Sequence, residues 1–192
     1  MKSRSKHLIN LLLSAMFIAI GIVLPFFTGQ IQQIGKMLLP MHLPVFLCGL
    51  ICGWPYGLAV GAILPVMRSF LFSAPVMYPS AIAMSFELAT YGFVAGFLFS
   101  NARWQCVKSL YRCIITAMLA GRLVWGVVML LLSGVAGNTF TFTSFVATAF
   151  AQALPGIILQ LLLIPGIMLA LDKTHLKPFI KSKSVKATKN GT

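Results

Sequence analysis

The sequence predicts an all-α integral membrane protein with six transmembrane helices. The chain is 59% hydrophobic and only 9% charged, and its mean hydropathy of +0.94 lies outside the range of soluble domains. Several apolar runs have the roughly 18 or more residues that a helix needs to cross the hydrocarbon core. We expect one membrane domain over residues 1–171 and a disordered basic tail over residues 172–192.

The six predicted spans follow one another closely, at Leu8–Phe27, Met41–Cys52, Tyr56–Phe72, Pro79–Ser100, Cys113–Ala136 and Phe145–Leu171. The second is too short to cross the bilayer comfortably, and it runs almost directly into the third. These two segments form either a tight helical hairpin or one broken, partly re-entrant segment. We favour the hairpin.

The positions of the basic residues support six spans, because short cytoplasmic loops collect Lys and Arg. With the N-terminus inside, twelve of the fifteen Lys and Arg residues fall on the cytoplasmic side, and only Lys36 falls in an outer loop. The pattern predicts a multi-pass protein of the cell membrane with both termini in the cytoplasm. Attraction to anionic lipid headgroups explains the net charge of +13 better than a nucleic-acid partner does.

Several kinds of chemistry have no residues to perform them. The chain has two acidic residues, Glu87 and Asp172, and it contains no phosphate-binding loop, zinc-protease motif or hydrolase elbow. Cys48 and Cys52 lie one helical turn apart, but no paired His or carboxylate accompanies them as a metal ligand. We therefore expect neither an enzyme nor a resident metal or cofactor.

Two charged residues in the predicted spans call for an explanation, because a charge at the centre of a membrane helix costs roughly 3 kcal/mol or more. Arg68 and Glu87 lie towards the predicted outer ends of spans three and four. They either pair with each other, or Arg68 (or Arg122 on span five) anchors an anionic or strongly polar ligand.

Polar and aromatic residues gather at the same predicted outer level. The candidate substrate-binding residues are Arg68, Glu87, Tyr91, His42, Tyr78, Arg122, Trp125, Asn138 and Gln152. Aromatic walls with a few hydrogen-bonding groups are typical of small-molecule sites. Such residues also have structural alternatives. Tyr78 is then an interfacial belt residue and His42 a buried structural histidine. Gln152 and Gln160 then form hydrogen bonds between helices.

Small residues four positions apart form a second pattern. Ala15 and Ala19 lie on one face of the first helix, and the glycine pairs 57/61 and 92/96 repeat the spacing. Such pairs let helices approach closely, so the glycine pairs favour packing within the chain, and the alanine pair favours either such packing or contact with another helix.

From Ala15 to about Leu171 the chain resembles the substrate-binding (S) components of energy-coupling-factor (ECF) vitamin transporters. The most specific stretches are Met41–Val45, Cys52–Gly57, Pro65–Ser69, Met84–Gly92, Gly121–Gly126 and Leu154–Gln160. The resemblance implies an S-component-like bundle of six helices with cytoplasmic termini, and a helix face at Ala15 and Ala19 that docks on a coupling membrane subunit. ATP hydrolysis would then occur on two separate cytoplasmic ATPase subunits.

By the same resemblance, the protein captures a water-soluble vitamin or related cofactor precursor from outside and delivers it inward. Pantothenate and riboflavin are the first candidates, since Arg68, Arg122 and His42 suit a carboxylate or phosphate, and Tyr78, Tyr91 and Trp125 suit a flat or aliphatic body. Two alternatives stay open. One is a stand-alone proton-coupled carrier with Glu87 as its proton site, and the other is a membrane scaffold that binds no small molecule.

Overall fold

The computed structural model describes residues 2–27, 40–102, 106–135 and 154–173. Six α-helices occur within these residues, namely α1 (Lys2–Phe27), α2 (His42–Cys52), α3 (Trp54–Phe72), α4 (Ile82–Asn101), α5 (Val107–Val135) and α6 (Leu154–Lys173). A single π-helical turn, Met77–Ala81, leads into α4. No β-strand occurs in these residues, so the all-helical prediction is confirmed.

Five of the described helices are long and apolar enough to cross a membrane. The exception is α2, which has eleven residues and a length of about 16 Å, roughly half the hydrocarbon thickness. A multi-pass helical bundle is therefore established, while the count of six spans stays a prediction.

The helix bounds differ from the predicted spans where polar residues begin a helix. α1 begins at Lys2 rather than Leu8, and α5 begins at Val107 rather than Cys113. Apolar runs mark only the part of a helix that lies in hydrocarbon, and Lys and Arg are good helix formers that continue it towards the headgroups. The predicted sixth span begins in residues 145–153, which lie outside the described residues, as does the tail beyond Lys173.

The predicted hairpin of α2 and α3 is confirmed. The two helices reverse direction at Gly53, whose φ of +104° is a conformation that side-chain-bearing residues rarely adopt. Past this turn the helices touch, and a Cβ on Gly57 would lie 2.5 Å from the Cα of Gly49. Pro55 lies in the first turn of α3, where its missing N–H costs no hydrogen bond.

The short helix α2 is the centre of the bundle. Nine of its eleven residues are buried, and it packs against α1, α3 and α4. A short helix leaves its terminal N–H and C=O groups at membrane depth, which is tolerated only where protein covers them. At its C-terminal end, the side-chain amide of Asn10 on α1 donates a hydrogen bond to the carbonyl oxygen of Cys52 at 3.3 Å.

Glycines bring α4 against the hairpin. A Cβ on Gly49 would lie 2.5 Å from the carbonyl oxygen of Gly92, and one on Gly57 would lie 2.8 Å from the same oxygen. A Cβ on Gly61 would meet the backbone of Leu88. The glycine pairs 57/61 and 92/96 therefore serve packing within the chain, as predicted.

Candidate ligand-binding site

A buried polar cluster joins α2, α4 and α5. Tyr91 lies one helical turn after Glu87, and its hydroxyl donates a hydrogen bond to the Glu87 carboxylate at 2.6 Å. Nη1 of Arg122 on α5 is 3.0 Å from the same oxygen, and Nε2 of His42 on α2 is 3.8 Å from it. The side chain of Glu87 is only 2% exposed. One carboxylate oxygen is thus the meeting point of three helices.

The predicted alternative of an Arg68–Glu87 ion pair is wrong for the described residues, where the ionic partners of Glu87 are Arg122 and His42. The register of the antiparallel helices explains the difference, because Gly57 faces Gly92 and the backbone of Leu88 lies against Gly61. Arg68 therefore lies six residues, or about 9 Å along the axis, from the level of Glu87. Its Nε is buried with no hydrogen-bond partner among the described residues.

A cavity of about 290 Å³ lies between α5 and α6 and is closed on one side by Tyr91 of α4. Three of its lining residues carry polar groups, Tyr91, Arg122 and Gln160, and these residues are 2%, 7% and 2% exposed, so nearly all of the cavity surface is apolar. The rest of the wall is apolar and is made by Ile115, Met118, Leu119, Leu154, Ile157 and Leu161. Ile115, Leu119 and Leu154 are themselves exposed, so the cavity is open on that side. An apolar cavity with a few polar residues is typical of a small-molecule site, and this one lies just below the usual range of roughly 300–1,000 Å³.

Arg122 is the residue that connects the cluster to the cavity. Its side chain lines the cavity and its guanidinium contacts Glu87, whereas Glu87 and His42 do not line the cavity. Since a guanidinium carries five N–H donors in a planar fork, donors remain for a second acceptor after one contacts Glu87. Glu87 thus orients Arg122, and Arg122 can donate hydrogen bonds to a ligand oxygen.

The ring of Tyr91 is held in place by packing on several sides. It stacks on Phe46 of α2 with 5.0 Å between centroids, and the ring of His42 lies 5.4 Å away at a tilt of 50°. On the α5 side, the absence of a side chain at Gly121 makes room for it, because a Cβ there would lie 2.5 Å from Cδ1 of Tyr91. Gly121 therefore positions one wall of the cavity.

Gly121→Ala is expected to weaken ligand binding about tenfold, because the added methyl group displaces the Tyr91 ring from the cavity wall. Affinity is measured by titration of the detergent-purified protein. Gly134→Ala on the same helix is the matched control, since a Cβ there would meet nothing within 4 Å. Equal affinities of the two variants would contradict the role of Gly121.

The remaining predicted site residues do not line the cavity or lie outside the described residues. The hydroxyl of Tyr78 donates a hydrogen bond to the carbonyl oxygen of Leu132 at 2.7 Å, joining the π-helical turn to α5. Trp125 is buried against Ala83. Asn138 and Gln152 lie outside the described residues, so their assignment to the site stays a prediction.

Sequence reasoning missed most of the cavity wall. Gln160 shares a helix stripe with Gln152, which predicts either a place at the site or a bond between helices, and it is buried on the cavity wall together with Arg122 and Tyr91. The apolar wall residues carried no usable signal, because a Leu or Ile that faces lipid looks the same in the sequence as one that faces a cavity. Gly121, beside Arg122 in a stretch of small and apolar residues, was the one local hint of close packing.

Comparison with known proteins gives one family. No curated protein and no solved structure matches the chain. The family model of the substrate-specific component of ECF transporters matches residues 10–168, which include the polar cluster and the cavity. This family consists of transporter components rather than enzymes, and its members work with a coupling membrane subunit and ATPases. The chain therefore belongs to the family of ECF transporter substrate-specific components.

Proposed function

We propose that this protein is the substrate-capture subunit of an ECF-type importer that takes up a water-soluble vitamin or related cofactor precursor. The ligand enters from outside and is delivered inward together with a separate coupling subunit and two ATPase subunits. The observation that carries the proposal is the cavity between α5 and α6, where Arg122 is oriented by Glu87. Pantothenate and riboflavin are the first ligands to test.

The proposed orientation has six spans in the cell membrane with both termini in the cytoplasm. The distribution of Lys and Arg supports it. The hairpin of α2 and α3 supports it as well, because α2 adds a sixth helical segment to the five longer ones. In this orientation the cavity is lined by the outer half of α6, the middle of α4 and the inner half to the middle of α5.

The test is purification in detergent followed by mass spectrometry of any small molecule that stays bound. We expect a vitamin-like solute at about one per protein, and Arg122→Gln is expected to lose it. Arg112→Gln is the matched control, because Arg112 lies on the same helix but is exposed and away from the cavity. Protein that is reproducibly empty and binds no vitamin in titrations would argue for the scaffold hypothesis.

Arg122, rather than Arg68, is the proposed principal anchor. Arg68 does not line the described cavity, so Arg68→Ala is expected to weaken ligand binding less than threefold, or about 0.7 kcal/mol. Titration of both arginine variants with the ligand identified above separates the two roles. A larger loss in Arg68→Ala than in Arg122→Gln would return the anchor to Arg68.

The docking face proposed on α1 is supported by exposure. Ala15 and Ala19 are exposed, whereas Ser14, Phe17 and Gly21 of the same helix are buried. The two alanines are therefore not used for packing within the described residues. A smooth, exposed small-residue face allows a second helix to come close.

Ala15→Trp combined with Ala19→Trp is expected to keep ligand affinity and to prevent assembly with the coupling subunit, because two indoles hold the partner helix away. Co-purification with a tagged coupling subunit measures assembly. Leu123→Trp combined with Val127→Trp is the matched control, since these α5 residues have the same spacing and are 66% and 57% exposed. Normal assembly of the alanine double variant would remove the docking proposal.

A stand-alone carrier that uses Glu87 as its proton site is not favoured by any contact of that residue. Glu87 accepts a hydrogen bond from Tyr91 and pairs with Arg122, and both contacts stabilise the ionised carboxylate. The carrier hypothesis would require that uptake persists without any coupling subunit or ATPase and that it fails in Glu87→Gln.

A further inference from the structure

The charges at the cavity are balanced within the protein. Arg122 is the one charged residue among those that line the cavity in the described part of the chain. The carboxylate that neutralises it, Glu87, lies 3.0 Å from its Nη1 and is buried behind the wall. At this cavity the positive charge is therefore already paired before any ligand arrives.

An anionic ligand would meet this arrangement at a disadvantage. It would lose its hydration on entering the apolar cavity, and the cost of this desolvation is offset only by a well-placed opposite charge. The charge it would need, on Arg122, is shared with Glu87, whose carboxylate also repels a second anion at short range. Binding of a carboxylate or phosphate at Arg122 would have to weaken the existing pair.

A cationic ligand has no counter-ion at this cavity. The chain contains only two acidic residues. Glu87 lies behind Arg122 and Tyr91, and Asp172 lies at the far end of α6, twelve residues beyond Gln160. A cation that entered would be placed beside the Arg122 guanidinium without compensation.

An uncharged ligand uses the cavity as it stands. The N–H groups of Arg122 that do not face Glu87 can donate to a carbonyl oxygen, and a glutamine amide such as that of Gln160 can both donate and accept. The apolar wall between α5 and α6 contacts the remaining body of the ligand. The Arg122–Glu87 pair then stays intact, so its geometry is preorganised and is not disturbed by binding.

We infer that the solute captured by this protein is uncharged, with an apolar body and a carbonyl or amide group directed at Arg122 and Gln160. The inference rests on the proposed capture function and narrows its ligand class. Of the two first candidates, the uncharged riboflavin is favoured over the pantothenate anion.

The experiment compares solutes that differ in one group, which is a carboxylate in one member of each pair and uncharged in the other. The purified protein is titrated with pantothenate and its alcohol panthenol, nicotinate and nicotinamide, biotin and biotinamide, and with riboflavin. In parallel, mass spectrometry identifies any solute that co-purifies. For each pair that binds, the uncharged member is expected to bind at least about tenfold tighter, and the co-purifying solute is expected to be uncharged at neutral pH.

The outcomes separate this inference from the proposed function. A carboxylate or phosphate that co-purifies, or that binds tighter than its uncharged analogue, overturns the inference and leaves the capture function standing. Protein that is empty and binds none of these solutes overturns both. An uncharged solute outside the titrated set, found by mass spectrometry, supports both.

A variant tests the physical cause. Glu87→Gln leaves the charge of Arg122 unbalanced, so the preference within each pair is expected to shift towards the carboxylate by about tenfold. An unchanged preference would show that Glu87 does not set the charge of the cavity and would overturn the inference. If this variant does not fold, titration of the wild-type protein with the paired solutes and the identity of the co-purified solute still test whether the ligand is uncharged.

Discussion

Arg122→Gln is expected to lower the free energy of unfolding by about 3–5 kcal/mol, the usual result of removing one partner of a buried ion pair. The reason is that Glu87, which is 2% exposed, would keep its charge in an apolar interior with Tyr91 and His42 as its remaining contacts. SDS titration of the detergent-solubilised protein, followed by circular dichroism, measures the loss. Ligand affinity is expected to fall in the same variant.

Removing both charges together is expected to cost much less. Glu87→Gln combined with Arg122→Gln leaves no uncompensated charge, and an uncompensated buried charge is the main cost of removing one partner alone. We therefore expect the double variant to recover more than half of the stability lost in Arg122→Gln, while ligand binding stays weak. The exposed Arg112→Gln is the matched control and is expected to change stability by less than about 0.5 kcal/mol. Additive losses in the double variant would show that the two residues do not act as a pair.

The sequence indicates that Glu87 is important, but one of the two interpretations that it leaves open pairs Glu87 with the wrong arginine. Charge in an apolar run is visible in a sequence because of its cost in lipid. Its partner is not visible, because pairing depends on the register and rotation of neighbouring helices. Here the contact of Gly57 with Gly92 fixes that register, and Arg122 on α5 reaches Glu87 instead of Arg68 on α3.

Helix positions were easier to predict than the cavity. Apolar length depends on the membrane alone, so it predicts the order of the helices and a hairpin of the second and third helices, while the structure places the turn at Gly53. The cavity depends on small differences in spacing between α5 and α6. Met118 and Ile157 line it, while Leu123 and Ile158, equally apolar, are exposed. In an all-apolar helix the sequence does not distinguish these surfaces.

The short helix α2 is stabilised by its contacts with neighbouring helices rather than by a length that matches the bilayer. Eleven residues are too few to cross the hydrocarbon core. Judged by its length alone, such a helix is not expected to be a transmembrane span. Packing on three sides by α1, α3 and α4 shields its ends from lipid. Phe46 and His42 of this helix then support Tyr91 from the side opposite the cavity, so the short helix contributes directly to the site.

Gly92→Ala is expected to lower the free energy of unfolding by about 3 kcal/mol, at the upper end of the usual cost of overfilling a packed interior. A Cβ at Gly92 would lie 2.9 Å from the Cα of Gly57 and closer still to its carbonyl group. Backbone atoms have no alternative rotamer, so α3 and α4 must separate along their whole contact. The same SDS titration measures the loss.

Gly166→Ala on α6 is the matched control, because a Cβ there would meet nothing within 4 Å, and Ala is the better helix former by up to about 1 kcal/mol. We expect it to be neutral or stabilising. The contrast separates close helix packing from helix propensity, since both variants add the same methyl group to a membrane helix. Separation of α3 from α4 would also displace Glu87 relative to Arg122, so Gly92→Ala is expected to weaken ligand binding although Gly92 does not line the cavity. Retained stability in Gly92→Ala would contradict the close packing of these helices, and retained affinity in a destabilised variant would contradict its coupling to the site.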